Sequence, residues 1–175
     1  MKNLKFVFFA LLLEILTLNT QAQKLLPTGT IIPVRLVTEA VSNTRDTVLA
    51  VVDSDVIVDD SLVIIKGGTP VQVTTLRRKA GIWGRPGKLM LSFINTRSVD
   101  NQIIPLTGSY MRTGQNDYAN ACGISALLCA VTGIGVVYGF FVKGEEVELQ
   151  RNYVFYNQAF TVGELPIKAQ KMNNK

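Results

Sequence analysis

Short runs of alternating apolar and polar residues dominate this chain before residue 111. In "TIIPVRLVT", Ile32, Val34 and Leu36 fall on one face, the two-residue period of a half-buried strand. Pro33 marks a strand start or an edge. After a polar break at Ser42-Asn43-Thr44 comes "TVLAVVDSDVIV". Asp59-Asp60 then turns the chain into "SLVII", and Lys66-Gly67-Gly68-Thr69-Pro70 makes a tight connection. "VQVTTLRR" and "KLMLSFINTR" follow, the second with Leu89, Leu91 and Phe93 on one side, and Asp100-Asn101 is a hairpin signal before "QIIPLTGSY". About six strands at this spacing predict an all-β sandwich or barrel.

The polar stretch "MRTGQNDYAN" interrupts the pattern, and residues 121–142, "ACGISALLCAVTGIGVVYGFFV", carry no charge. A bilayer-spanning helix needs about 20 such residues. Beyond Lys143-Gly144, however, strand periodicity resumes in "EEVEL" and, after a turn at Arg151-Asn152, in the aromatic-rich "YVFYNQAFTV". If these strands join the earlier sheet, one crossing would put pairing partners on opposite sides of a membrane and leave unpaired backbone in lipid. The stretch must then fold back. Thr132-Gly133-Ile134-Gly135 is a poor helix interior and predicts the bend. Cys122 to Val131 suits a helix and "VVYGFFV" a strand. Ala126 with Ala130, and Gly135 with Gly139, place small residues four apart, a spacing that admits a second backbone. Three readings stand open: a hairpin packed on or in the β-domain, an apolar projection for oligomer or membrane contact, and a spanning helix.

The N-terminus has a different logic. Lys2 and Lys5 precede an apolar core from Phe6 to Leu18, and Thr20 and Ala22 supply small residues. That order predicts a secretory signal peptide over 1–22, with Gln23 rather than a lipid-accepting Cys after the cut; Glu14 inside the core leaves a retained anchor as the alternative. The expected organisation is one β-domain over 23–165 with an insertion at 119–142, then a basic flexible tail over 166–175. The formal charge of +5 favours anionic surfaces without implying nucleic acid. Cys122 and Cys129 are the only cysteines; seven residues apart on a helix their Cα atoms are ~10.5 Å apart, beyond the reach of a bridge to one another, which leaves two small apolar residues or an intermolecular bond as the open readings.

Candidate chemistry is sparse. The chain has no histidine, which removes the usual general base and the commonest metal ligand. Asp53, Asp55, Asp59 and Asp60 lack the glycine turn of a calcium loop. No phosphate-cradling glycine loop is present. The sequence therefore predicts no catalytic residue, metal or cofactor, and no small-molecule substrate. The one concentrated feature is "LRRKAGIWGRPGK", a glycine-rich loop between two strands with Arg77, Arg78, Lys79, Arg85 and Lys88 around Trp83. Cations with an interfacial indole predict contact with an anionic surface; the plainer reading is a solvated hairpin whose Trp folds back on the sheet.

The order of segments resembles the C-terminal β-barrel of TrbI-like proteins, outer-membrane components of conjugation and type IV secretion machines. The resemblance rests on "LPTGTIIPVRLVTEAVSN", "VIIKGGTPVQVTTL", "GKLMLSFINTRSVDNQIIPLTG", the apolar insertion and "VELQRNYVFYNQAFTV", in that order across most of residues 26–162. It departs in starting the expected barrel a few residues after the expected signal, where the family carries an inner-membrane anchor and a long Pro-rich linker, in carrying Asn101 where the hairpin has Gly, and in its short insertion. It implies a small barrel of about 7–9 strands with an apolar helix-containing insertion before the last strands. The expected protein is exported, periplasmic or outer-membrane-associated, and non-enzymatic: a structural or assembly element of an envelope complex or homo-oligomer, with membrane-surface contact. The alternative is a periplasmic binding module for an anionic envelope component, lipid or glycan phosphate.

Overall fold

The structure is a computed structural model that describes residues 23–59, 62–133, 136–168 and 170–171. The leader expected at 1–22 lies outside the described residues. The strands before the insertion are β1 (Gln23–Leu26), β2 (Val34–Leu36), β3 (Ala40–Val41), β4 (Ala50–Val52), β5 (Val56–Val58), β6 (Leu62–Ile65), β7 (Pro70–Arg78), β8 (Lys88–Arg97), β9 (Ile103–Thr107) and β10 (Ser109–Thr113). Helices α1 (Tyr118–Thr132) and α2 (Val136–Phe141) form the insertion. After it come β11 (Glu148–Leu149), β12 (Val154–Phe155), β13 (Phe160–Thr161), β14 (Leu165–Lys168) and β15 (Gln170–Lys171).

The main sheet is antiparallel and runs β12-β2-β4-β7-β8-β9-β13, with β10 also on β8. Its two ends belong to one ribbon of chain. Val154–Phe155 lies on β2, and Phe160–Thr161 lies on β9. Ile31 bridges Phe160 as well, and Ile32 N–H donates to Ala159 O at 3.0 Å. The sheet therefore curls into a barrel, as the strand spacing predicts. The single long strand expected over "YVFYNQAFTV" is instead bent between Phe155 and Phe160, with Asn157 at φ 57°, because its second half takes β9 as a further neighbour.

Gly108 stands where the ribbons cross. A Cβ there would lie 1.8 Å from Gln158 O, so only glycine lets the backbones pass. Before Gly108 the seam is closed by β9 on β13; after it, β8 is the one strand partner of β10 among the described residues, and the seam is open. Side chains fill the opening from within. Phe93 meets Phe155 edge-on at 5.5 Å, and Tyr110 lies 5.0 Å from Phe155. Leu89, Leu91 and Phe93 share a buried face as their spacing predicts, each burial worth about 1.5–3 kcal/mol.

Two expectations need correction. The chain beyond residue 165 is not a flexible tail where it is described: β14 pairs with β1, and Ile167 is fully buried in the same core as Leu26. Leu165 and Ile167 alternate with polar neighbours, and that short period suffices to add a strand. Residues 172–175 lie outside the described residues. The second limb of the insertion, expected as a strand, is the helix α2. A strand beside α1 would leave its ladder groups without partners, whereas a helix satisfies them internally.

Candidate interaction surface

The insertion and the Trp83 loop form one body. α1 ends at Gly133, in the left-handed region at φ 74°, whose N–H donates to Cys129 O; this is the glycine-terminated helix end that the bend predicts. α2 then returns antiparallel to the loop between β7 and β8. Trp83 N–H donates to Gly139 O at 2.9 Å, Gly84 N–H to Val142 O at 3.0 Å, and Gly144 N–H to Gly81 O at 3.1 Å. Asp117 N–H donates to Gly84 O at 3.1 Å, so the loop grips both ends of the insertion. Trp83 itself has φ 59°, a region costing an L-residue roughly 1–2 kcal/mol. Its ring packs on Gly139 and meets Phe140 edge-on at 5.7 Å.

This placement revises both readings of the loop. Trp83 is half-buried and folds onto the helical insertion, not onto the sheet and not outward to an interface. Arg77 is committed: its guanidinium donates to Thr44 O at 2.6 Å and Asp46 O at 2.7 Å. Arg78 reaches Pro86 O at 3.3 Å, while Lys79 and Arg85 are exposed and Lys88 half-buried. Arg77 points to the barrel side, with Leu89 opposite, whereas Arg78 and Lys88 face one another on the outer side. The expected cationic cluster is thus divided between two faces.

Of the small residues, Ala126 and Ala130 are exposed on α1. Gly139 is buried and covered by Trp83 of the same chain, which corrects its expected role in an external contact. Gly135 lies outside the described residues. The surface left open is carried by larger side chains the sequence did not single out: Leu127 is 69% exposed, Val131 78% and Phe141 78%. α1 buries only Ala121 and Ser125. Since α1 is apolar on nearly every side, its periodicity carried no sign of which face would stay uncovered. Among the described residues no helix is long and apolar enough to cross a membrane. Cys122 and Cys129 form no bridge with one another, as their spacing predicts.

The base of the insertion is held by an acidic pair that sequence reasoning passed over. Glu145 accepts Gln115 N–H at 2.7 Å, and its carbonyl accepts Gly87 N–H at 2.9 Å. Glu146 accepts the Ser42 hydroxyl at 2.5 Å and Ala80 N–H at 3.1 Å. Two adjacent acids at the border of a charge-free run were the available signal. Of the aspartates, Asp53 pairs with Arg35 at 3.0 Å and Asp55 accepts Gly67 N–H at 2.6 Å, while Asp60 lies outside the described residues. No family model matches the chain, and no curated protein matches its sequence.

Proposed function

We propose that this protein is an exported, non-enzymatic β-barrel that acts as a structural or assembly element of an envelope complex, of the kind the TrbI-like resemblance implies. One observation carries the reading. A helical hairpin without charge is clamped at its base by main-chain hydrogen bonds, yet leaves Leu127, Val131 and Phe141 largely uncovered. Exposed apolar surface fixed on a rigid support is characteristic of an interaction site. The hairpin supplies the contact, and the barrel fixes its orientation. The alternative, an anionic-component binding module, has less support, because Arg77 spends its donors on backbone carbonyls.

The test is the size of the full-length protein in detergent-free buffer, by sedimentation, together with fractionation of the envelope. The protein is expected in the periplasmic or outer-membrane fraction and larger than a monomer. Leu127→Glu with Phe141→Glu is expected to reduce it to a monomer without changing the circular dichroism of the barrel. A wild-type protein that stays monomeric, or that remains in the cytoplasm, overturns the proposal.

A further inference from the structure

The open part of the barrel seam carries a surface distinct from the hairpin tip. The register of β10 on β8 fixes which backbone groups are already used. Phe93 N–H donates to Gly108 O at 3.1 Å, and Gly114 N–H donates to Gly87 O at 3.0 Å. In an antiparallel pair the bonded residues alternate, so Gly108, Tyr110, Arg112 and Gly114 turn their backbone groups to β8. The N–H and C=O groups of Ser109, Met111 and Thr113 point the other way, where no strand among the described residues pairs with them.

That side is not closed by β12. The hydroxyls of Tyr110 and Tyr153 meet at 3.2 Å and their rings stand 5.7 Å apart, so side chains rather than backbone bridge the split. Burial raises the Tyr110 pKa and the Tyr153 hydroxyl raises it further, so the phenol stays neutral. Beside the split lies an open cleft of about 510 Å³, with Arg112 and Thr113 on one wall and Glu145, Glu148 and Gln150 on the other. An unpaired strand edge is a template for another chain, which sheets commonly blunt with Pro, Lys or a bulge. Ser109-Tyr110-Met111-Arg112-Thr113 has no Pro or Lys, and its register is unbroken. Three acidic residues, Glu145, Glu146 and Glu148, line the cleft against one cationic residue, Arg112; the Glu146 carboxylate is taken up by Ser42 and Ala80, so Glu145 and Glu148 supply the charge that complements a cation.

We infer that the β10 edge is a docking site for an extended, basic segment of a partner protein, which adds as a strand along Ser109–Thr113. Main-chain bonds supply the affinity, as in other strand additions. The acidic wall selects the sign of the guest, and the Tyr110–Tyr153 pair accepts an apolar side chain at alternate positions. The inference does not depend on the hairpin, because Leu127, Val131 and Phe141 take no part in the cleft.

The test uses the full-length protein and a capped Lys-Val-Lys-Val-Lys-Val peptide as probe, followed by amide hydrogen exchange and fluorescence anisotropy. Binding is expected to slow exchange at Met111 and Thr113 and to weaken at least about tenfold for the Glu-Val analogue or after Glu145→Gln with Glu148→Gln. Backbone N-methylation of the peptide at alternate residues is expected to abolish it. Met111→Pro should abolish it too while leaving the barrel intact, since the Met111 N–H takes no part in the β8 ladder and proline is tolerated on such an edge. If that variant does not fold, the charge and N-methyl arms decide. Absence of binding at millimolar peptide, equal binding of the Glu-Val or N-methylated peptide, or protection elsewhere than on β10 overturns the inference.

Discussion

The indole of Trp83 occupies the space that any side chain at position 139 would need. A Cβ built on Gly139 would fall 2.4 Å from Trp83 Cε3, and the same two residues share a main-chain hydrogen bond of 2.9 Å. Gly139→Ala therefore sets a helix gain of ~1 kcal/mol against a clash with a rigid ring, for which overpacking costs about 1–3 kcal/mol. The expected outcome is undocking of the hairpin with the barrel intact. Trp83 is the only tryptophan, so its fluorescence reports this contact alone. A red-shifted emission with unchanged β-sheet circular dichroism is expected; an unshifted spectrum would refute the packing.

Arg77 and Arg78 adjoin in sequence and differ in task. Arg77 holds the carbonyls of Thr44 and Asp46, tying the end of β7 to the loop after β3. Removing charged donors from such carbonyls costs about 1.5–3 kcal/mol, and Arg77→Gln is expected to lower stability by that amount in urea titrations. Arg78→Gln and Lys79→Gln, on exposed side chains, are expected within about 0.5 kcal/mol of wild type. Equal effects at all three positions would contradict the assignment.

The barrel was legible where one residue in two faces the core. Leu89, Leu91 and Phe93 lie on a single buried face, and Asn101, at the expected hairpin, takes φ 68°. What failed was decided by neighbours that local periodicity does not see. "VVYGFFV" is helical against its β-branched and aromatic composition because Trp83 and the β7–β8 loop dock on it. Ile167 is buried because β1 lies beside it, a pairing across some 140 residues of chain. Of the surface, the charge-free run and the loop around Trp83 were visible beforehand. Their mutual docking was not, nor was the open edge of β10, since both depend on which strand lies next to which.

Ser42 and Glu146 form a second tie between distant segments. The Ser42 hydroxyl donates to the Glu146 carboxylate and accepts Val147 N–H at 2.9 Å, while Glu146 also accepts Ala80 N–H. Ser42 is buried, so Ser42→Ala leaves the Val147 donor without its partner, at a cost of about 1–3 kcal/mol. Glu146→Gln keeps a carbonyl oxygen able to accept both bonds and is expected to cost less. Urea midpoints measured on both variants check the order; a larger loss for Glu146→Gln would show that charge, not hydrogen-bond geometry, holds this junction.

Asp100 joins the β8–β9 hairpin to β14. Its carboxylate accepts the Ser98 hydroxyl, the Gln102 side-chain amide at 2.8 Å and Lys168 N–H at 3.0 Å. Burial alone would raise its pKa, but the bonds from Ser98, Lys168 and Gln102 outweigh burial and hold it below the ordinary 3.8. A carboxyl whose pKa is depressed on folding adds stability above its unfolded pKa and loses it as the pH falls through the folded value. Asp100 thus supports the fold at neutral pH, and its contribution fades in acid. Asp100→Asn is expected to cost about 1 kcal/mol at neutral pH. That deficit should shrink once the pH drops below the wild-type carboxyl's folded pKa, because the protonated acid and the amide then offer similar bonds. Urea titrations of both proteins at neutral and strongly acidic pH measure this, with β14 followed by hydrogen exchange at Lys168. A deficit that stays constant across the range would mean the carboxylate's charge plays no part in holding the last strands to the barrel.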